Sequence, residues 1–191
     1  MSDWKQRLTG NLEPALHQLD PRPHISAYHD MPFAMFQYPE TAELPLRQEL
    51  ELLKTRLEAA GKRVTVVSLA DCLAEALERQ DLGPEALAGA ERSVGLDATV
   101  DTIHQVLAEL EPLDEIVAAH IPQGDPTRDL VFLVRAGALF PVYRTSSLLE
   151  HLMGKVDLPT VLFYPGIKDG AAGLRFMSVH DPEHNYRARI F

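Results

Sequence analysis

One cysteine in 191 residues, Cys72, removes any intramolecular disulfide framework and fits a reducing compartment. Long hydrophobic runs are missing as well, and nothing approaches the roughly 20 apolar residues that a membrane span requires. The opening Met1-Ser-Asp-Trp-Lys5 carries no apolar signal region. Basic residues are few: 18 Lys and Arg stand against 28 Asp and Glu, a formal net charge of −10. Phosphate contacts need a basic field, so this balance works against broad nucleic-acid binding while leaving room for a local basic patch. A soluble cytoplasmic protein with no membrane contact and no direct nucleic-acid partner is the expectation.

Several chemistries lack their residues. The first strand-turn-helix unit, Tyr38-Pro-Glu-Thr-Ala-Glu-Leu-Pro45, has neither glycine nor a Lys-Ser/Thr pair, so it cannot cradle phosphates as a P-loop does. Gly166, Gly170 and Gly173 match no nucleotide fingerprint and read as a hairpin turn. No Gly-x-Ser-x-Gly elbow supports a hydrolase serine. Cys72 lies on the apolar stripe of its helix and reads as a small core residue. His180-Asp-Pro-Glu-His184 and His24 with His29-Asp30 match no established ligand spacing, and Pro182 prevents a one-face helical pair. No catalytic residue, cofactor site or metal site is assigned.

What is present is ordinary globular composition, 46% hydrophobic and 24% charged, in a length that suits one domain. Trp4, Leu8, Leu12, Ala15, Leu16 and Leu19 predict an amphipathic helix over 3–19, bent near Pro14 and ended by the prolines of 20–24. Residues 32–38 predict a strand. A helix striped by Leu46, Leu50, Leu53 and Leu57 follows, with Thr41 as N-cap and Gly61 as its stop. The strand 63–69 leads into a helix striped by Leu69, Cys72, Leu73, Ala76 and Leu77.

A weakly patterned helical stretch lies between Pro84 and Gly95. Asp97 then caps a helix striped by Val100, Ile103, Leu107 and Leu110, and residues 113–121 read as a short helix, although their Ile-Val run also suits a strand. The strand 129–134 comes next, and Ser147 with Glu150 suggests a capping box for a helix over 147–154. The strand 160–164, a turn from Gly166 to Gly173, and last strands over 174–178 and 186–190 complete the chain. Continuous apolar strands alternating with helices predict an α/β fold in three layers. Its sheet is mainly parallel and flanked by helices, with antiparallel edge strands near the C-terminus.

In such a sheet Tyr38-Pro-Glu40, Ser68, Arg135-Ala-Gly137 and Tyr164-Pro-Gly166 end along one edge, where open α/β folds bind ligands. The functional reading is a binding crevice or docking edge holding Tyr38, Arg135 and Tyr164. The plainer one is that Pro and Gly end strands while Tyr and Arg cap the core. Tyr143 and Arg144, beside Phe140 and Pro141, pair an aromatic with an arginine as interface anchors do. Phe140 and Tyr143 equally suit packing of the next helix onto the sheet, and exposure is expected of Arg144. In the tail Tyr186, Ala188 and Ile190 alternate with Arg187 and Arg189, which with Arg175 form a candidate basic spot. The plainer role is pairing with surface carboxylates.

The runs Asp129-Leu-Val-Phe-Leu-Val-Arg-Ala-Gly137, Phe140-Pro-Val-Tyr-Arg-Thr-Ser-Ser-Leu-Leu149, Val161-Leu-Phe-Tyr-Pro-Gly166 and Tyr186-Arg-Ala-Arg-Ile-Phe191 resemble the BrxB family of BREX bacteriophage-exclusion systems. Met31-Pro-Phe-Ala-Met-Phe-Gln-Tyr-Pro39 and Val64-Thr-Val-Val-Ser-Leu69 fit the same family, so the likeness spans about 30–191. The family carries Thr-Gly or Ser-Gly where Arg135-Ala136 stands, and His where Ser146 stands; a partner contact at that loop would be altered here. The resemblance implies a cytosolic component of antiphage defence without known catalysis. It would act beside a PglZ phosphatase-like protein, a BrxC-like ATPase and a PglX-like DNA methyltransferase, as an adaptor to PglZ. The rival is an enzyme or nucleotide-binding module using the strand-end crevice, with Arg135 and Tyr164 as substrate contacts.

Overall fold

The computed structural model describes residues 3–26, 31–169, 173–179 and 188–191. Its helices are α1 (Asp3–Arg7), α2 (Glu13–Leu16), α3 (Arg22–Ile25), α4 (Glu43–Ala59), α5 (Leu69–Glu78), α6 (Pro84–Val94), α7 (Leu96–Gln105), α8 (Leu113–Ala119) and α9 (Thr145–Leu152). Its strands are β1 (Phe33–Tyr38), β2 (Arg63–Ser68), β3 (Asp129–Val134), β4 (Thr160–Asp169), β5 (Gly173–Phe176) and β6 (Arg189–Ile190). The fold is α/β: the six-stranded sheet runs β2-β3-β4-β1-β6, with β5 attached to β4. Neighbours along that path are parallel, while β5 is the antiparallel strand expected near the C-terminus. The tail's β6 joins β1 in parallel.

Strand alternation sorts the apolar side chains onto two faces. One face gathers Ala34, Phe36, Tyr38, Phe132, Val161 and Phe163 under α1, α2 and α4. The other gathers Phe33, Met35, Leu133, Leu162 and Tyr164 under α5, α8 and α9. Both faces of β1 and β3 are buried, which is why those strands read as unbroken apolar runs.

The first helical run has an unusual mechanical detail. Trp4, Leu8, Leu12 and Leu16 are buried at a strict interval of four, which an α-helix turns off its face by about 40° per step. A wide π turn over Leu8–Leu12 joins α1 to α2 and takes up that drift, so all four stay on the sheet. The run ends after Leu16, earlier than its predicted limit, and Leu19 is 81% exposed. A second π turn, Val106–Leu110, follows α7 and buries Val106 beside Leu107, leaving the predicted stripe residue Leu110 exposed.

Four local expectations change. The prolines of 20–24 do not simply break the chain, because Pro21 and Pro23 open the short helix α3. Thr41 and Asp97 are not caps: α4 and α7 are preceded by Ala42 and Gly95, with no side-chain cap bond. Likewise α9 begins at Thr145, two residues before the predicted capping box, with Arg144 at its uncapped N-cap. Finally, β4 runs through Pro165-Gly166 to Asp169 instead of stopping there. A Cβ at Gly166 would meet the Arg175 carbonyl oxygen at 2.2 Å, so the close approach of β5 demands glycine.

Candidate functional site

The chain leaves β1 toward α4 on one face of the sheet and leaves β3 toward α9 on the other. Between these diverging exits lies β4, so its end is a switch point of the kind where open sheets form crevices. A cleft of about 180 Å³ sits there. Glu40, Glu43 and Arg47 line it from the β1 exit, Arg135, Gly137 and Ala138 from the β3 exit, and Pro165 and Met177 from β4 and the turn after β5.

The strand ends named from the sequence therefore converge. Ser68 is the N-cap of α5, accepting from the Asp71 amide, and Arg135 reaches both: its guanidinium donates to Asp71 Oδ1 at 2.8 Å and Ser68 Oγ at 3.3 Å. Arg135 itself stands in the left-handed region at φ 59°, as do Met177 at 49° and Ser178 at 59°. For side-chain-bearing residues each such conformation is costly and persists only where surroundings enforce it. Gly137 packs tightly here, since a Cβ would lie 3.3 Å from Met177 Sδ.

The charges of the cleft close on one another. Tyr38 is fully buried and donates its hydroxyl to Glu43 Oε2, while the other Glu43 oxygen accepts from Arg47 Nε at 2.9 Å. Burial first, and the adjoining carboxylate second, push the Tyr38 phenol's pKa upward, so it stays a proton donor. Ser178 donates to Glu40 at 2.8 Å. Buried Gln37 donates to the Gly166 carbonyl at 2.5 Å, binding β1 to β4 at the cleft floor. Glu43, Arg47, Met177 and Ser178 were not singled out from the sequence. The four-residue Glu43-Arg47 spacing was the one local signal, since the other two arrive from more than 130 residues away.

The remaining candidates separate. Tyr164 is fully buried and stacks on Phe176 at 5.2 Å between centroids, so it and Tyr38 are core groups behind the edge. Tyr143 is also buried, 5% exposed, and burial together with Asp114 raises its pKa. Packing is thus its observed role, while Arg144 is exposed as expected and Phe140 is partly buried against Phe176. Arg189 is exposed on β6, donates to the His24 carbonyl at 2.7 Å and lies over the Phe191 ring. Arg187, Tyr186, His29-Asp30 and His180–His184 lie outside the described residues. Burial pushes the Cys72 thiol up to about 11, aided by Glu75 and Asp71, which disfavours the nucleophilic thiolate. Among the described residues no group of three or more His, Cys, Asp or Glu is placed to hold a metal ion, and no helix is long and apolar enough to cross a membrane.

The sequence model of the family described as BREX protein BrxB matches residues 65–190, about two-thirds of the chain. The chain belongs to the BrxB family. It is similar to the BREX protein BrxB of Bacillus cereus (strain H3081.97), at 26% identity over 162 residues that cover 84% of this chain and 83% of that one. No solved structure matches it. The family match takes in Ser68, Arg135, Pro165 and Met177, so most of the strand-end cleft lies within the BrxB region, whereas β1 and α4 precede it.

Proposed function

We propose that this BrxB-family protein serves bacteriophage exclusion as a non-enzymatic cytoplasmic adaptor that docks a PglZ-like protein. Membership of the BrxB family is the observation that carries this reading. The strand-end cleft agrees with it: Glu43 is held by Tyr38 and Arg47, Glu40 by Ser178, and Arg135 by Asp71. Groups satisfied by neighbours shape a surface more readily than they bind and activate a substrate. A BrxC-like ATPase and a PglX-like methyltransferase are the other partners in view. Arg135, Arg144 and Arg189 are among the accessible cations, and through them an acidic partner surface would dock.

The test is a pull-down from the native host with tagged protein and nuclease treatment. Stoichiometric, nuclease-resistant recovery of a PglZ-like protein supports the adaptor, and Arg144→Glu is expected to weaken it at least about tenfold without unfolding, as an interface anchor would. Recovery of the chain alone rejects the adaptor.

The position of the cleft at a switch point favours one alternative, a small molecule bound beside Arg135. A thermal-shift panel of nucleotides and divalent cations separates the two, because a tight ligand raises Tm. The same melts test the one-domain reading, which expects a single cooperative transition.

A further inference from the structure

The order β2-β3-β4-β1-β6 makes β2 terminal, and β3 is its only paired strand among the described residues. Arg63 donates its backbone N–H to the Arg128 carbonyl at 2.7 Å, so its backbone groups turn toward β3. Strand geometry alternates. Thr65 and Val67 therefore do likewise, while Val64, Val66 and Ser68 turn theirs away from the sheet. Among the described residues the outward amides of Val64 and Val66 make no hydrogen bond.

Such an edge is normally blunted by proline, a bulge or a charge. From Val64 to Ser68, β2 has none of these: it reads Val-Thr-Val-Val-Ser in unbroken register with β3. Valine and threonine suit a pleated, half-buried surface, and here one side of it is bare. Val66 is 42% exposed, although Val64 on the same face is buried and its β3 neighbour Phe132 fully so.

We propose that β2 pairs antiparallel with β2 of a second copy of this chain, across a twofold axis at Val66. This pairing is independent of the adaptor reading. The outward residues make the strand complementary to itself, because Val66 is the middle one of three evenly spaced positions. Turned end for end, Val64 meets Ser68 of the second copy and Val66 meets its own counterpart. Every outward N–H then finds a carbonyl. Parallel mates related by a twofold would set each amide level with its counterpart, donor against donor, and gain no ladder.

The charges at the two ends agree with this arrangement. Arg63 opens β2 and Asp71 lies just past its end, with side chains 62% and 75% exposed. Asp129 engages Arg63 through Nε and Nη2, and Arg135 engages Asp71 through Oδ1. Arg63 Nη1 and Asp71 Oδ2 thus retain hydrogen-bonding capacity. Antiparallel pairing turns the arginine end of each copy toward the carboxylate end of the other.

Sedimentation of the full chain over about 1 to 200 μM tests this, with amide exchange read residue by residue. The average mass is expected to double with concentration, half-complete on the order of 10 μM. Exchange at Val64 and Val66 should slow about tenfold or more in the paired chain, whereas β3 protects Thr65 and Val67 at every concentration. Val66→Lys sets like charges together on the axis and is expected to weaken pairing at least about tenfold. Val66→Pro removes an outward donor and no bond to β3, so it should abolish pairing while circular dichroism shows the fold kept.

A chain that stays single at all concentrations overturns the proposal, as does pairing that survives Val66→Lys. Mass doubling without protection at Val64 and Val66 places the contact elsewhere and overturns it as well. Isotope-labelled chain whose outward amides are protected by host extract, but not by more of itself, assigns the edge to a foreign strand. That result also rejects the second copy.

Discussion

The two faces of the sheet are held by different means. On the face covered by α1, α2 and α4, polar groups bind elements distant in sequence. Lys5 pairs with Glu49 at 2.5 Å, and Arg56 grips Glu13 with two nitrogens at 2.7 and 2.8 Å. Arg7 donates to the carbonyls of Phe191 at 2.6 Å and Gln37 at 2.9 Å. Lys62 reaches the carbonyls of Gln18 and Thr127 at 2.5 and 2.8 Å. On the opposite face α5, α8 and α9 pack through apolar side chains and carry ion pairs such as Arg79 with Glu111 and Lys155 with Asp114, while the margins of α7 and α9 stand apart as a groove and α6 buries no residue. One face is fastened to the chain's backbone; the other leaves a groove at its rim. Cross-element salt bridges occur on both faces, so the distinction lies in the reach of Arg7 and Lys62 to distant backbone carbonyls.

Breaking the fastened face is expected to have the largest effects. Leu12→Ala empties a fully buried position under the first helical run and should cost about 3 kcal/mol by chemical denaturation. Arg7→Ala strips donors from two strand-end carbonyls and from the Gln37 side chain, and should cost about 2 kcal/mol with rapid amide exchange in β6. Equal losses from trimming the exposed apolar residues of α6 would erase the distinction between the faces.

Acid sharpens the comparison. The Arg56 guanidinium holds Glu13 below its ordinary 4.5, and Arg63 does the same for Asp129 below 3.8. A carboxylate depressed in the folded state stabilises fully above its ordinary pKa and loses that contribution as pH falls through the folded value. Denaturation midpoints should therefore decline below about pH 4.5, and Glu13→Gln should lose part of that decline.

The smallest change lies on the open face. The Thr145 hydroxyl is buried and has no hydrogen-bond partner among the described residues. Thr145→Val keeps the shape and removes the unmet polar group, so it should raise stability by about 1 kcal/mol. A loss would show that the hydroxyl is satisfied in solution.

Much of the sheet was legible because strands buried on both faces are unbroken apolar words in the sequence, as in Asp129–Val134 and Thr160–Tyr164. Convergence of the strand ends followed from parallel topology alone. What escaped depended on partners remote in the chain. Pro165-Gly166 reads as a stop, yet β5 needs glycine there and the strand continues. Tyrosine carries a polar tip, so Tyr38 and Tyr164 suit an edge until a buried partner such as Glu43 is known. The ends of α4, α7 and α9 were misjudged because polar residues resembling caps lay beside backbone turns that needed none.

Arg7 and Phe191 are separated by 184 positions, while β2 and β3 meet across about a third of that span. Because closing long loops costs more entropy, β4 with β5 and β3 with β4 are the pairings available first, β2 with β3 follows, and β1 must wait for β4 and β6. The apolar line Trp4-Leu8-Leu12-Leu16 finds its seat on Phe36 and Phe163, so it leaves the ribosome early and is covered late. During synthesis that interval is when a chaperone would have most to hold.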